Sequence, residues 1–393
     1  MTSATAPAAA PTAAGMPRSG IREIMDLAWG TPGCIHLEVG EPSFPTPAHV
    51  VEAAAKAARD GWTKYVPNAG LPALREAVAA KLHRCNGVNV PAEQVVVTAG
   101  GVQALYAAML AVSEPGDQVL LPDPGWPNFG MIAHLLHLEP VHYSLQAEHA
   151  FLPSVEDLER AVTPQTRLIV VNSPSNPLGS VIPAPLLEEI LRFAERHNLW
   201  VLSDECYDAI TLEPGFTSAA AVGDPERVLS CYSFSKSYAM TGWRVGYVAA
   251  PAAVAPVLQK LQEPVIACVN APAQMAALAA LTGPQDVVAE MVATYRQRRD
   301  LLQSLLESEG MTMLRPAGAF YAWVSLGGDA RPALEFSRQL LTDRQVAVAP
   351  GTAFGPQGEG WLRLSLAAET DLLLEGTRRL AGLLAGKVAD ARA

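Results

Sequence analysis

A lysine set among small hydroxyl residues is the strongest chemical signal in this sequence. The segment SFSKSYAMTGWRVG, residues Ser233–Gly246, places Lys236 just after an apolar run that predicts a strand. A lysine held among cations or away from water loses its proton more readily and becomes a nucleophile towards aldehydes. Arg244 offers a planar fork for a phosphate, and Ser233 offers a hydroxyl donor. The segment therefore predicts a carbonyl-binding lysine beside an anion site.

A glycine turn earlier in the chain is a second candidate for anion binding. The segment TAGGVQAL, Thr98–Leu105, reads as a strand, a turn and the start of a helix. Free amide groups and the helix dipole at such a turn favour anions, which makes Gly101 and Val102 candidate phosphate contacts. An ordinary strand-to-helix turn is the alternative reading. Neither GxGxxG nor GxxxxGK[ST] occurs in the chain, so dinucleotide and Walker sites are not indicated.

Two further motifs follow apolar runs. Asp204 and Tyr207 lie in VLSDECY, and Asn176 lies in NSPSNPLG. Taken alone, Asp204 fits a helix N-cap as well as a functional acid, and Asn-Pro is a common turn signal. We expect the three side chains to meet, because the carboxyl ends of parallel strands lie at one edge of a sheet.

The elements that must position these residues are strands alternating with helices. Apolar runs predict strands at 94–98, 118–121, 168–172, 199–203, 228–232 and 244–250, and helical spacing joins Leu105, Met109 and Val112. Strands that are apolar throughout indicate a mostly parallel sheet covered by helices on both faces, hence an α/β fold. A long helical pattern from about Pro284 to Leu306 leads into a second, smaller domain.

Composition limits the classes of partner. The 393 residues carry a net charge of −11, which argues against nucleic acid as a partner. No apolar run reaches membrane-spanning length, so no membrane partner is expected. The five cysteines form no CxxC pair and indicate reduced thiols in a cytoplasm. Scattered histidines, with His134 and His137 on a predicted helix face, indicate no metal site. Residues 1–16 are predicted to be a disordered tail.

Together the motifs resemble the class I and II aminotransferases, the fold type I enzymes that use pyridoxal 5′-phosphate (PLP). The resemblance runs from about Gly40 to Arg363, with the motifs in the family's order. It implies a large domain with a mostly parallel seven-stranded sheet between helices, plus a smaller α+β domain. The domains are placed at 48–281 and 282–393, with 17–47 packing against the smaller one. The implied reaction moves an α-amino group from an amino acid to a 2-keto acid by a ping-pong mechanism, with the cofactor held on Lys236 as a Schiff base.

The resemblance also implies a role for each matching residue. Cofactor contacts would come from the ring partners Asp204, Tyr207, Asn176 and Trp126, and from the phosphate partners Gly101, Val102, Ser233, Arg244 and Tyr65. Tyr65 would reach the phosphate of a neighbouring subunit, which implies a homodimer with shared active sites. Catalysis would rest on Lys236, Asp204 and Tyr207. The substrate carboxylate would meet Gly40, Asn176 and Arg363. For Trp126 and Arg363, a core tryptophan and a surface ion pair are the ordinary alternatives.

Departures from the family pattern bear on the substrate. Leu178 stands where the family usually has threonine, and Val102 stands where one dicarboxylate-specific subgroup has lysine. Residues 261–283 contain no lysine or arginine. These features argue against strict aspartate preference and leave aromatic, aliphatic or specialised substrates open. Phe320 and Tyr321 are candidates for the side-chain pocket or for the small-domain core.

Two alternatives to transamination remain at this stage. The motifs define the cofactor and a carbanion without defining its fate, so elimination or amino-acid oxidation on the same fold stays open. A ligand-sensing module of a transcription regulator is a third reading. It is disfavoured because only about 40 residues, with few cations, precede Gly40.

Overall fold

The computed structural model of the chain describes residues 7–386, with helices on both faces of a large sheet. The strands are β1 Ile35–His36, β2 Val95–Thr98, β3 Gln118–Asp123, β4 Glu139–Ser144, β5 Thr166–Asn172, β6 Trp200–Asp204, β7 Val228–Ser233, β8 Gly246–Ala249, β9 Met313–Leu314, β10 Tyr321–Ser325, β11 Val346–Ala347, β12 Ala349–Pro350 and β13 Trp361–Ser365. The helices are α1 Pro11–Ala14, α2 Gly20–Trp29, α3 Ala48–Arg59, α4 Pro72–Lys81, α5 Gly101–Val112, α6 Asn128–Leu135, α7 Val155–Ala161, α8 Ala184–Arg196, α9 Phe234–Ser237, α10 Ala255–Ile266, α11 Ala271–Thr282, α12 Asp286–Ser308, α13 Ala333–Arg344 and α14 Thr370–Leu384.

The large sheet has seven strands in the order β2-β8-β7-β6-β5-β3-β4. The central strands pair in parallel, and β8 runs antiparallel to both of its neighbours. The predicted mostly parallel seven-stranded sheet is thus confirmed. The sheet positions the site because parallel strands end at one edge, and β5, β6 and β7 end at Asn172, Asp204 and Ser233.

Both faces of this sheet are buried, which explains the apolar strands. One face packs beneath α5, through residues such as Val96, Leu121, Val170, Leu202 and Leu229. The other packs beneath α8, whose Leu187, Ile190 and Leu191 are buried. Burying one such side chain contributes roughly 1.5 to 3 kcal/mol. Alternating strand residues therefore hold helices against the sheet from both sides.

Strand β4 was not predicted from the sequence. It lies at the edge of the sheet, pairs only with β3 along Glu139–Ser144, and has one buried residue among its six. A polar edge strand that begins with proline at its second position lacks the apolar run that marks buried strands.

A second, four-stranded antiparallel sheet has the order β12-β13-β10-β9 and carries Arg363 on β13. The N-terminal segment joins this part of the chain, since β1 pairs in parallel with β11 and Leu37 O accepts from Ser365 N at 2.8 Å. The domain boundaries at 47 and 281 remain predictions. Part of the predicted tail, residues 1–6, lies outside the described residues; within residues 7–16, α1 forms one helical turn. No helix within residues 7–386 has the length and hydropathy needed to cross a membrane.

Candidate active site

A cavity of about 270 Å³ opens at the carboxyl ends of β5, β6 and β7. It gathers every predicted site residue except Tyr65. Those residues are Gly40, Gly101, Val102, Trp126, Asn176, Asp204, Tyr207, Ser233, Lys236, Arg244 and Arg363. They come from distant parts of the chain, so the fold concentrates the chemical groups that the motifs indicated.

Lys236 lies on the short helix α9, directly after β7. Its Nζ donates a hydrogen bond to the carbonyl oxygen of Gly40. Burial lowers the pKa of the Lys236 amine, and the charges of Arg363 and Arg244 act in the same direction. A buried amine with a lowered pKa is suited to attack a carbonyl and to exchange protons.

Asp204 is a buried carboxylate at the end of β6. Its Oδ1 accepts from the backbone N–H of Cys206 at 3.2 Å, and within residues 7–386 no basic side chain forms an ion pair with it. Burial raises the pKa of Asp204 to about 6. A buried acid without a counter-ion is suited to a cationic ligand group such as a protonated pyridine nitrogen.

Asn176 and Tyr207 line the same cavity as this acid, and Asn172 contacts its backbone. Asn172 Nδ2 donates to the Asp204 carbonyl at 3.0 Å, and Asn172 Oδ1 accepts from the Asn176 backbone N–H at 2.8 Å. The Tyr207 hydroxyl lies 2.8 Å from the Tyr321 hydroxyl. Burial raises the pKa of Tyr207 well above its ordinary value, so the phenol stays protonated and can donate.

The glycine turn between β2 and α5 forms a tight cradle with Arg244. Gly100 has a φ of +82°, and a Cβ there would lie 2.2 Å from Arg244 Nη2. Arg244 Nη1 donates to the Thr241 carbonyl at 2.8 Å, which fixes the guanidinium beside the turn. The Ser233 hydroxyl accepts from the Ser235 backbone N–H at 3.2 Å at the start of α9. Guanidinium, hydroxyl and amide donors together match a phosphate dianion.

Trp126 and Tyr65 differ sharply in their surroundings. Trp126 lines the cavity and packs edge-on against Phe129, with ring centroids 5.7 Å apart. Tyr65 is 89% exposed and does not line the cavity of its own chain. Aromatic residues, tyrosine among them, are enriched in contact surfaces between proteins.

Arg363 crosses between the two sheets and is only 2% exposed. Its Nη1 donates to Asn176 Oδ1 at 3.0 Å, and its Nη2 donates to the Glu38 carbonyl oxygen. The guanidinium carbon lies 4.4 Å from the ring centre of Tyr321. Burial lowers the pKa of Arg363, and its Nε has no hydrogen-bond partner among the described residues. The Arg363 guanidinium therefore still has N–H groups that can donate hydrogen bonds to a carboxylate.

Gly40 faces the same region. A Cβ on Gly40 would lie 2.6 Å from the Tyr321 hydroxyl oxygen, so only glycine lets the backbone come this close. Of the two residues proposed for a side-chain pocket, Tyr321 lines the cavity and Phe320 is fully buried among core residues.

Sequence reasoning missed several residues that line the cavity. They are Ile21, Met25, Glu38, Leu105, Cys206, Ser235 and Thr241. Ile21 and Met25 belong to α2, which has an apolar face and no chemical motif. The signal that could have found Glu38 is its place two residues before Gly40, between the apolar residues Leu37 and Val39.

The donor set fits PLP. The cradle at Gly100 and Arg244 suits the phosphate, the unpaired acid Asp204 suits the pyridine nitrogen, and Tyr207 and Asn176 suit the ring oxygen. Lys236 lies among them with an amine whose pKa is lowered. Each polar part of the cofactor would therefore meet a group of opposite charge or a hydrogen-bond donor.

Comparison with known proteins gives consistent relatives. Residues 32–377 match the family "Aminotransferase class I and II". The chain is 37% identical to an aspartate aminotransferase of Pyrococcus horikoshii, over 94% of this chain and 95% of that protein. It is 37% identical to an aromatic-amino-acid aminotransferase 2 of Thermococcus litoralis, over 94% and 96%. The solved structure of Thermus thermophilus aspartate aminotransferase with maleate superposes with a TM-score of 0.91 at 36% identity, covering 96% of this chain and 99% of that one.

Proposed function

Because this chain belongs to the class I and II aminotransferases, it is a PLP-dependent transaminase, and we propose that Lys236 is its cofactor-binding and catalytic lysine. The observation that carries the assignment is the position of Lys236 in the cavity. Its buried amine lies on the same cavity wall as Asp204, Tyr207 and Arg244. When bound, PLP withdraws electrons from the substrate Cα.

The other predicted cofactor contacts form one set around this lysine. Asp204 pairs with the ring nitrogen, Tyr207 and Asn176 donate to the ring oxygen, and Trp126 covers the ring face. Arg244, Ser233 and the amides of Gly101 and Val102 hold the phosphate. These assignments are supported because the residues line one cavity and offer hydrogen-bond donors or charges opposite to those of the cofactor.

Lys236 Nζ would take the proton from the substrate Cα and deliver it to the C4′ carbon of the bound cofactor within the same half-reaction. A general base works best when its pKa lies near the working pH, and burial moves the Lys236 amine in that direction. The Gly40 carbonyl that accepts from Nζ lies beside the proposed carboxylate site, so the same backbone segment orients lysine and substrate.

Arg363 and Asn176 bind the substrate α-carboxylate. The Nη1–Oδ1 hydrogen bond between them orients the guanidinium, and the rings of Tyr321 and Phe354 hold its plane, at 4.4 and 5.0 Å from the guanidinium carbon. A preoriented arginine fork binds a carboxylate through two parallel hydrogen bonds.

The preferred substrates are α-amino acids with uncharged, apolar side chains. The apolar side chains that line the cavity include Ile21, Met25, Val102 and Leu105. Within residues 7–386 of one chain the basic residues that line the cavity are Lys236, Arg244 and Arg363, and each has a proposed role on the cofactor or the α-carboxylate rather than on a distal carboxylate. An unpaired carboxylate in such a wall would be costly.

A homodimer completes the site through Tyr65 of each neighbouring chain. Support comes from the 89% exposure of this side chain and from an open groove of about 430 Å³ beside Arg244, lined by residues such as Trp243, Ile266 and Val269. The enzyme works in the cytoplasm, which is consistent with cysteines that form no disulfide among the described residues.

The substrate assignment is tested by replacing Val102 with lysine. We expect V102K to raise kcat/KM for aspartate relative to phenylalanine by about tenfold, because a partly screened ion pair with the distal carboxylate contributes about 1 kcal/mol or slightly more. V102M, of similar length without the charge, is the matched control. The measurement is the rate of the amino-donor half-reaction with each amino acid.

The wild-type panel gives the direct comparison. Phenylalanine and leucine should react with higher kcat/KM than aspartate and glutamate. Faster reaction of the wild-type enzyme with aspartate than with phenylalanine would show that a cation reaches the distal carboxylate, and the substrate proposal would be wrong.

A further inference from the structure

Glu38 is a fully buried carboxylate in the wall of the active-site cavity. It follows β1, in the segment that leads to Gly40. Its Oε1 lies 2.8 Å from His36 Nδ1, a hydrogen bond that the imidazole donates. Its Oε2 has no hydrogen-bond partner among the described residues. Burial of a carboxylate with one free oxygen is expensive and calls for a nearby positive charge.

His36, which contacts Oε1, is charged only when protonated, whereas Arg363 is an arginine in the same cavity wall as Glu38. The carbonyl of Glu38 accepts from Arg363 Nη2, which ties the Glu38 backbone to the guanidinium, and the Glu38 carboxylate acts on the guanidinium through space from the same cavity wall. Tyr207 and Tyr321 also adjoin Arg363, but burial raises the pKa of both phenols, and they remain neutral at physiological pH. Glu38 therefore supplies the negative charge that offsets Arg363 when no substrate is bound.

We propose that Glu38 is a positioning residue that holds Arg363 in place as its counter-charge and limits how tightly the site binds a carboxylate. The proposal rests on the proposed role of Arg363 in binding the α-carboxylate. An incoming carboxylate meets an arginine that Glu38 already partly neutralises. The Glu38 carboxylate in the same wall also repels it. Both effects oppose binding.

Limited affinity serves a ping-pong enzyme. Amino acid and keto acid carry the same α-carboxylate, and a keto acid must leave in every half-reaction. Tighter binding of a group that does not change during the reaction lowers KM without raising kcat. Arg363 thus orients the carboxylate, and Glu38 keeps the release of the bound amino acid or keto acid fast.

The test is Glu38→Gln, which keeps the shape and an acceptor for His36 and removes the charge. The probe is 3-phenylpropionate, which has a carboxylate and an apolar group but no amine, titrated into the PLP-loaded enzyme by calorimetry. We expect its Kd to fall about tenfold, the change that one pKa unit of differential interaction represents. KM for phenylalanine should fall by a similar factor while kcat does not rise.

Two controls isolate the charge. Glu38→Asp keeps it and should bind 3-phenylpropionate as the wild type does. Glu188→Gln removes an exposed carboxylate on α8, which adjoins Arg192 at 3.6 Å, and should also bind as the wild type does. The ligand should raise the melting temperature of E38Q more than that of the wild type, because in E38Q it replaces a missing counter-charge.

The outcomes separate the two proposals. Unchanged or weaker binding by E38Q overturns the role of Glu38, as does an aspartate variant that binds as tightly as E38Q. Arg363→Gln should abolish binding of the probe. If R363Q binds it normally, the carboxylate role of Arg363 itself is wrong. If R363Q fails to bind and E38Q matches the wild type, only the inference about Glu38 fails.

Discussion

The glycine at position 100 offers a sharp test of the phosphate cradle. Gly100 has a φ of +82°, and a Cβ there would lie 2.2 Å from Nη2 and 2.7 Å from Cζ of Arg244. Atoms cannot stay this close, so Gly100→Ala must displace the guanidinium or the turn. Arg244 is held by the Thr241 carbonyl at 2.8 Å, and the displacement breaks that alignment.

The expected loss can be estimated from the contacts. A hydrogen bond to a charged group contributes about 1.5 to 3 kcal/mol, so losing a two-pronged arginine contact to phosphate costs roughly 3 kcal/mol or more. That corresponds to a rise of at least about a hundredfold in the Kd for PLP. An alanine in the backbone conformation of Gly100, with φ +82° and ψ 173°, adds a separate cost of roughly 1 to 3 kcal/mol in folding stability, which does not involve the cofactor.

A second glycine separates the two effects. Gly116 has a φ of +92° in a remote turn, and a Cβ there would meet nothing within 4 Å. Gly116→Ala should lose stability in thermal unfolding yet bind PLP normally, whereas Gly100→Ala should lose both. Titration of cofactor-free protein with PLP, followed by absorbance, gives the Kd. If Gly100→Ala binds PLP as tightly as Gly116→Ala, the turn and Arg244 do not form the phosphate site.

Two further predictions concern Asp204 and Lys236. In the folded chain without cofactor, burial raises the pKa of Asp204 from 3.8 to about 6. Between pH 3.8 and 6 the folded state therefore binds a proton at Asp204 that the unfolded state has released. The cofactor-free wild type should therefore lose roughly 3 kcal/mol of unfolding free energy relative to Asp204→Asn as pH rises from about 4 to above 6. Urea unfolding across that range checks it, and a pH-independent difference would contradict it. Lys236→Ala should reduce amino-group transfer by several orders of magnitude, measured as keto acid formed from phenylalanine, because it removes the proposed base for the Cα proton; near-normal turnover would show that another base acts.

Much of the site could be predicted because its residues stand in short motifs next to buried strands. Asp204 ends β6, Lys236 and Asn176 follow β7 and β5, and the apolar runs of these strands are visible in the sequence. Once a parallel sheet is inferred, its geometry brings strand ends together without further information. The order of the motifs along the chain added the resemblance to a known family.

The missed residues depend on tertiary packing. Ile21 and Met25 reach the cavity only because α2 packs against the smaller sheet region, and an amphipathic helix does not indicate which cavity its face covers. Glu38 is significant because Arg363, 325 residues later, donates to its carbonyl. Strand β4 is a polar edge strand, so its pairing with β3 leaves no apolar run to detect.

The most direct test of the central claim is to identify the lysine that carries the cofactor. The PLP-loaded enzyme would be reduced with borohydride, digested and mapped by mass spectrometry. We expect a pyridoxyl group on the peptide that contains Lys236. This label should be absent when the enzyme is first treated with an excess of phenylalanine. A label on another lysine, such as the buried Lys81, or a protein that retains no label would contradict the assignment of Lys236.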